Sequence, residues 1–300
     1  MSHFEHKQAT RIWHGPGEAS REGSLGLKSF AIDLFEEHAW VTHWGTEEEV
    51  GGLEEVQKFL LAKGIFSAVI LHRPEKGLPK ESQVLFGAPP VGRIEVRENG
   101  MRFWVQLLGT RHAGLFLDHA PLRDWLKRNT QGLRILNTFS YTGSLSVAAG
   151  VGGASEVLNL DLSKPALVWA KENWELNGLP TKSLETVSGD VFEWLPRFYK
   201  QGRKFDCVIL DPPSFSRGKR GSFSTSKDLV KLHRLALDLL VDGGILVTSI
   251  NSSNISVEKF RGDINTALNG KKVKILHRIE LPPTFPNDDY LKGFCFRVER

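Results

Sequence analysis

The chain has 300 residues, 40% of them apolar, enough for one large domain or two modest ones with buried cores, which excludes a largely disordered polymer. Lysines and arginines number 39 against 35 aspartates and glutamates, so the mean field is mildly positive and contact with a polyanion requires a local patch. Both cysteines, Cys207 and Cys295, sit in apolar alternating runs, which excludes a disulfide framework and suits a reducing cytoplasm.

No apolar run approaches the ~18 residues of a spanning helix, and the start Met1-Ser2-His3-Phe4 lacks the charged-then-apolar order of an export signal. A cytoplasmic protein without membrane contact is therefore expected. Residues 1–28 are polar and glycine-rich and read as an irregular arm whose order depends on tertiary contacts. Phe30 to Phe35 and Ala39 to Trp44 alternate like paired strands, Leu53 to Lys63 has helical spacing, and Ile65 to Leu71 returns to strand. Gly92 to Arg97 and Met101 to Gln106 flank Asn99-Gly100, a dipeptide that tolerates the positive φ of a tight hairpin. Residues 1–117 are thus expected to form a strand-rich domain, and 118–300 a second one.

In the second domain short apolar strands alternate with helices, the rhythm of a βαβ series. Seven strands are predicted: Leu133 to Phe139, Ser155 to Asp161, Leu184 to Gly189, Phe205 to Asp211, Gly244 to Ile250, Val273 to Leu281 and Gly293 to Val298. Ser163 with Pro165, and Asp190 before Val191, open two of the intervening helices. Ligands of such doubly wound sheets bind beyond the carboxyl ends of the strands, so those ends carry the functional reading.

Strand one is followed by Tyr141-Thr142-Gly143-Ser144, one glycine where a dinucleotide fingerprint needs three. That argues against NAD. S-adenosylmethionine has no phosphate, and a single glycine beside its methionine end suffices, although Gly143 alone reads equally well as a helix start. Strand two ends in Asp161, followed by Leu162 and Ser163; its carboxylate can accept from both hydroxyls of a ribose, or simply cap a helix. After strand three, Asp190 can accept from an adenine amino group while Val191 lines the ring, or serve as an N-cap. Unrelated caps would rarely fall in this order.

Strand four ends in Asp211-Pro212-Pro213-Ser214-Phe215. The two prolines fix the backbone and remove two amide donors, so carbonyl and carboxylate acceptors converge on a planar nitrogen while Phe215 offers a stacking face. Arg217, Lys219 and Arg220 follow between glycines, as a solvated loop or as phosphate ligands. Trp169 and Trp174 read as core. The ten histidines show no ligand spacing, so no metal is expected.

These residues resemble the S-adenosylmethionine-dependent methyltransferases of bacterial large-subunit ribosomal RNA, of the RlmI and RlmK type, over about residues 90–300. The resemblance rests on Gly114-Leu115-Phe116-Leu117-Asp118-His119, Leu136 to Ser144, Asn177-Gly178-Leu179, Phe205 to Phe215 and Tyr290-Leu291-Lys292-Gly293. It implies an α/β fold, a Rossmann-like seven-stranded methyltransferase sheet preceded by a smaller strand-rich α+β domain. It also implies S-adenosylmethionine as cofactor, RNA as partner, and Phe116 and Asp118 among the cofactor-binding residues. Many members add an N-terminal RNA-binding module, which this chain is expected to lack. Its Arg11-Ile12-Trp13-His14-Gly15 segment resembles the start of the family's middle domain.

The family splits by chemistry. Methylation of cytosine C5 needs a thiolate that adds to C6. In the cytosine branch that cysteine follows strand five, where this chain has Asn251, as the guanine-N7 branch does. The sequence departs from the family at Ala120, where arginine is frequent. Methylation of a base nitrogen, with guanine N7 leading, is the expectation. A cytosine-C5 enzyme, a methyltransferase of a protein amide or small amine, and a non-catalytic RNA-binding protein remain alternatives.

Overall fold

The computed structural model describes residues 8–15, 27–47, 50–75, 77–213, 215–218, 221–252, 255–285 and 290–299, with backbone only for 215–218 and 221–227. The chain divides into two compact units. One comprises Met1–Ala120 with Leu281–Asp288; the other comprises Pro121–Glu280 with Asp289–Arg300.

The first unit holds a five-stranded sheet of β1 (Thr10–His14), β2 (Phe30–Phe35), β3 (His38–Trp44), β4 (Ser67–Arg73) and β5 (Gln83–Phe86), neighbours in that order. All pairs are antiparallel except β3 and β4, whose parallel pairing requires a crossover, supplied by helix α1 (Leu53–Ala62). Val56 and Leu60 of α1 bury against Phe30, Ile32, Val41 and Ile70. A separate hairpin pairs β6 (Arg93–Glu98) with β7 (Met101–Gln106), and its turn has Asn99 at φ 50° and Gly100 at φ 77°. That is the geometry for which Asn-Gly is suited.

The N-terminal stretch, whose order was expected to depend on tertiary contacts, gains a strand through them. The stretch read as an irregular arm contains β1, which pairs with β2 as an edge strand. Arg11 donates two hydrogen bonds to the Asp33 carboxylate, at 2.7 and 2.9 Å, and Ala9 N–H donates to Arg97 O at 2.7 Å. Cross-strand charge pairing and tertiary hydrogen bonds thus order a segment with little apolar periodicity of its own.

The second unit contains β8 (Arg134–Thr138), β9 (Glu156–Asp161), β10 (Leu184–Ser188), β11 (Phe205–Leu210), a hairpin of β12 (Phe215–Gly218) and β13 (Gly221–Ser224), then β14 (Leu240–Asn251), β15 (Lys272–Ile279) and β16 (Leu291–Glu299). Seven of these form one sheet in the order β10-β9-β8-β11-β14-β16-β15, and only β16 runs against its neighbours. Helices α2 (Ala120–Asn129), α3 (Ser144–Val151), α4 (Lys164–Leu176), α5 (Val191–Lys200), α6 (Thr225–Leu237) and α7 (Val257–Leu268) complete the unit. All seven predicted strands are present, in the Rossmann-like arrangement. Strand order reverses between β8 and β11, which puts their carboxyl ends at the crevice.

The segment read as a loop after Asp211-Pro-Pro differs. Its backbone forms the β12–β13 hairpin, with Phe215 opposite Ser224 and Arg217 opposite Ser222. In sequence, an aromatic residue set among serines suits a strand, a signal that the neighbouring cations obscured.

Candidate active site

The carboxyl end of β8 is strained. Phe139 and Tyr141 are non-glycine residues at φ 54° and 48°, a conformation that is costly for side-chain-bearing residues and that gathers at functional sites. What holds the strain is Asp161 at the end of β9. Its Oδ2 accepts from Tyr141 N–H and its Oδ1 from Ser163 N–H, both at 2.8 Å. One carboxylate therefore ties two strand-end turns together, and each oxygen retains a lone pair for a further donor. Beside it, the Tyr141 phenol is pushed up to about 12, first by burial and then by the Asp161 charge, so it remains protonated.

Gly143 caps the start of α3, and packing alone already requires a glycine there. It sits at φ 74°, and a Cβ there would come within 2.8 Å of Ala170 Cβ and 3.3 Å of Asn159 Nδ2. Close packing of α4 over the turn demands the glycine. Thr142 is buried, and its carbonyl accepts from Asn173 Nδ2 at 2.9 Å. Ser144 opens α3, and its Oγ lies 3.4 Å from the fully buried Arg123 guanidinium. Arg123 thus persists behind this turn even though Ala120 departs from the family pattern.

Ser163 caps α4, its Oγ accepting from Ala166 N–H. Leu162, between Asp161 and Ser163, is 51% exposed, an apolar side chain presented at the strand end. Asp190 caps α5 through Oδ1, which accepts from Phe192 N–H at 2.8 Å. Val191 does not line an open face: it is buried in the core with Leu195 and Phe198. The indole of Trp194 lies against Gly189, where a Cβ would meet its Nε1 at 1.9 Å.

At the end of β11, Asp211 Oδ1 accepts from the Ser249 hydroxyl at 2.5 Å. Ser249 is fully buried on β14, two residues before Asn251, which ends that strand and is exposed. Pro212 is buried and Pro213 exposed. Phe215 and Arg217 have described backbone in β12, whereas Ser214, Lys219 and Arg220 lie outside the described residues. Phe116 and Asp118 belong to the first unit. There Phe116 is 43% exposed, with its ring 5.6 Å from that of His112, and buried Asp118 contacts His119 Nδ1 at 3.1 Å.

Three supports were given no role in the sequence reading. Asn137 and Asn159 are register partners on β8 and β9; Asn137 Nδ2 donates to Ser146 Oγ at 2.8 Å, and Ser146 Oγ donates to Asn159 Oδ1. On α6, fully buried His233 sets Nδ1 2.7 Å from Leu229 O and Nε2 2.9 Å from Thr248 Oγ1. A carbonyl only accepts, so the ring proton is on Nδ1 and Thr248 donates to Nε2. Burial holds this imidazole down to about 4, hence neutral. Lys292 on β16 is 5% exposed and donates to Ser252 O at 2.9 Å. The signal available for all three was a polar residue inside an apolar strand or helix face.

The turns fit S-adenosylmethionine. Asp161 keeps acceptor capacity, Leu162 offers an apolar wall, and Ser140 Oγ is buried without a hydrogen-bond partner among the described residues. Among these residues no group of three His, Cys, Asp or Glu side chains is placed to hold a metal, and no helix is long and apolar enough to cross a membrane.

Comparison with known proteins agrees with this geometry. The family described as S-adenosylmethionine-dependent methyltransferase matches residues 67–297. Ribosomal RNA large subunit methyltransferase I of Photobacterium profundum is 34% identical over 288 residues, covering 92% of this chain and 72% of the relative. Ribosomal RNA large subunit methyltransferase K of Neisseria meningitidis serogroup B is 45% identical over 158 residues, covering 52% of this chain and 45% of the relative. Methyltransferases I from two Aeromonas species are spanned over only 59% of their length. Among solved structures, the methyltransferase SMU.776 complexed with SAH superposes with a TM-score of 0.85 at 26% identity, over 97% of this chain and 76% of that one. With its strand-end turns, sheet order and family match in agreement, the chain belongs to the S-adenosylmethionine-dependent methyltransferase family, enzymes that use that molecule as cofactor.

Proposed function

We propose that this enzyme methylates a base of large-subunit ribosomal RNA at a ring nitrogen, with guanine N7 the leading atom. The observation that carries the choice of atom is the pairing of Asn251 at the end of β14 with the burial of both cysteines inside the sheet. Cys207 lies within β11 and Cys295 within β16, both fully buried. Burial raises both thiols, aided at Cys207 by the Asp206 charge and at Cys295 by Cys207. Neither can supply the thiolate that cytosine C5 requires. The names of the relatives from Photobacterium and Neisseria support ribosomal RNA as the substrate.

In this reading Asp161 accepts from the ribose hydroxyls, Leu162 and Asp190 Oδ2 face the adenine, and Tyr141 to Ser144 hold the methionine end. Phe116 and Asp118 are assigned to the cofactor through the family resemblance. When bound, S-adenosylmethionine supplies an electrophilic methyl group on a sulfonium. The chain's contribution is positioning: Asp211, fixed by Ser249, acts with the Pro212 carbonyl, Pro213, Phe215 and Asn251 to hold the base in line with that methyl. A guanine N7 lone pair is already free, so no general base is required, and alignment supplies most of the rate. Arg217, Lys219 and Arg220 are assigned to RNA phosphates. The site of action is the cytoplasm, where ribosomes carry the substrate.

The test is transfer of labelled methyl from S-adenosylmethionine to protein-stripped ribosomal RNA, followed by nucleoside mass analysis. Labelled 7-methylguanosine is the expected product. Labelled 5-methylcytidine would overturn the choice of atom, and label confined to protein would overturn the choice of substrate.

A further inference from the structure

Ser252, the residue after Asn251, is held at both of its backbone polar groups by the start of β16. Its N–H donates to Tyr290 O at 2.9 Å, and its carbonyl accepts from Lys292 Nζ at 2.9 Å. This clamp exists because β16 runs antiparallel to β14, which brings the first residues of β16 to the rim where β14 ends. Ile250 faces Lys292 and Asn251 faces Leu291 across that pair. The path of β16 here is tightly set: a Cβ on Gly293 would come within 2.6 Å of Ile279 Cδ1 and 2.8 Å of Thr248 O.

Lys292 is unusual for a purely structural residue. Its side chain is almost wholly buried, its neighbour Ile250 is fully buried, and no carboxylate pairs with its ammonium among the described residues. Taking an ammonium out of water is costly, and an apolar side chain of similar volume would fill the same space without that cost. The charge is directed instead at one carbonyl, next to the residue assigned to the target base.

We propose that Lys292 is a positioning residue for methyl transfer: it fixes Ser252, the residue after β14, through its carbonyl and thereby holds Asn251 against the acceptor base. The inference rests on the assignment of Asn251 above. It predicts a specific kinetic pattern, since the cofactor turns at β8, β9 and β10 are separate from this clamp.

The experiment is a double-mutant cycle in the full chain, measuring single-turnover methyl transfer to ribosomal RNA and S-adenosylmethionine affinity by calorimetry. Lys292→Met is expected to lower the transfer rate at least about tenfold while cofactor affinity stays within about twofold. Lys292→Arg, which keeps charge and donors, is expected to recover much of the rate, and it guards against a Met variant that fails to fold. Combining Lys292→Met with Asn251→Ala is expected to cost no more than the worse single change. Full activity in Lys292→Met, or equal losses of cofactor affinity and rate, would overturn the proposal. Multiplicative losses in the double variant would overturn the clamp while leaving Asn251 in place. Undiminished transfer by Asn251→Ala would remove the assignment itself, and the clamp with it.

Discussion

The Ser249 hydroxyl donates to Asp211 Oδ1 at 2.5 Å, from a residue that is itself fully buried in the adjacent strand. Since β11 and β14 pair in parallel register, with Leu210 opposite Thr248, the bond joins the two strand ends that bear the proposed base-holding residues. Ser249→Ala removes a donor to the Asp211 carboxylate and weakens its hold on the orientation of that group. The expected outcome is a fall in methyl transfer of about tenfold, or about 1.4 kcal/mol of transition-state stabilisation, with cofactor affinity unchanged. Asp211→Ala should lose at least as much. Single-turnover kinetics beside cofactor titration separates the two quantities; parental rates in both variants would refute the placement of the base.

Asp161 offers a sharper division of labour. Its two oxygens satisfy Tyr141 N–H and Ser163 N–H, so the same carboxylate both builds the turns and is proposed to bind the ribose. Asp161→Ala is therefore expected to weaken cofactor binding by about a hundredfold, or about 2.7 kcal/mol. It should also lower the unfolding temperature, because two backbone donors lose their partner. Asp161→Asn keeps one acceptor oxygen and is expected to fall between the two proteins in both measurements. Calorimetric titration and thermal unfolding check this; unchanged affinity in Asp161→Ala would remove the ribose assignment.

The seven strands of the second unit's large sheet were legible because βαβ spacing and apolar runs are local signals, and so was the order of Gly143, Asp161, Asp190 and Asp211 at the strand ends. Strand β1 was legible only as a segment dependent on tertiary contacts, because its order comes from Arg11 reaching Asp33 twenty-two residues away. The β12 and β13 hairpin was hidden by cations that usually signal a solvated loop. The roles of Ser249, His233 and Lys292 stayed hidden for a further reason: a polar residue within an apolar run acquires meaning only when its partner, Asp211, Thr248 or Ser252, is brought to it by the sheet.

Gly143 was legible as a glycine of consequence and as a helix start, but the packing against it was not. The turn is closed by Gly143 N–H donating to Ser140 O at 2.8 Å, with φ at 74°, and Ala170 of α4 occupies the space a side chain would need. Gly143→Ala is expected to destabilise the protein by about 1–3 kcal/mol, from left-handed backbone strain together with the Cβ contact. Adding Ala170→Gly should return the steric part and leave the backbone part, so the two changes should couple. Urea unfolding of the two single variants and the double checks this; strict additivity would show that α4 packing is not the constraint.

His233 ties stability to pH. Its folded-state value is held down to about 4, chiefly by burial, with the Leu229 carbonyl and the Asp263 charge opposing, whereas the unfolded chain titrates near 6.5. Between those values the unfolded state binds a proton that the folded state excludes, so stability falls as pH drops from 6.5 towards 4 and is insensitive to this group above 6.5. The full difference corresponds to about 3 kcal/mol. In the first unit, His112 is likewise held down to about 4, by burial and then by the Arg73 and Arg111 charges, and acts in the same direction. His233→Gln can preserve a donor and an acceptor without titrating, so its unfolding free energy should decline less steeply over pH 6.5 to 4 than that of the parent. At pH 8 the Gln variant packs less well against Phe260, whose ring centroid lies 6.2 Å from that of His233, and is expected to be the less stable protein there. The two stability curves should therefore converge as pH falls. Parallel curves across that interval would show that protonation of His233 does not limit the fold.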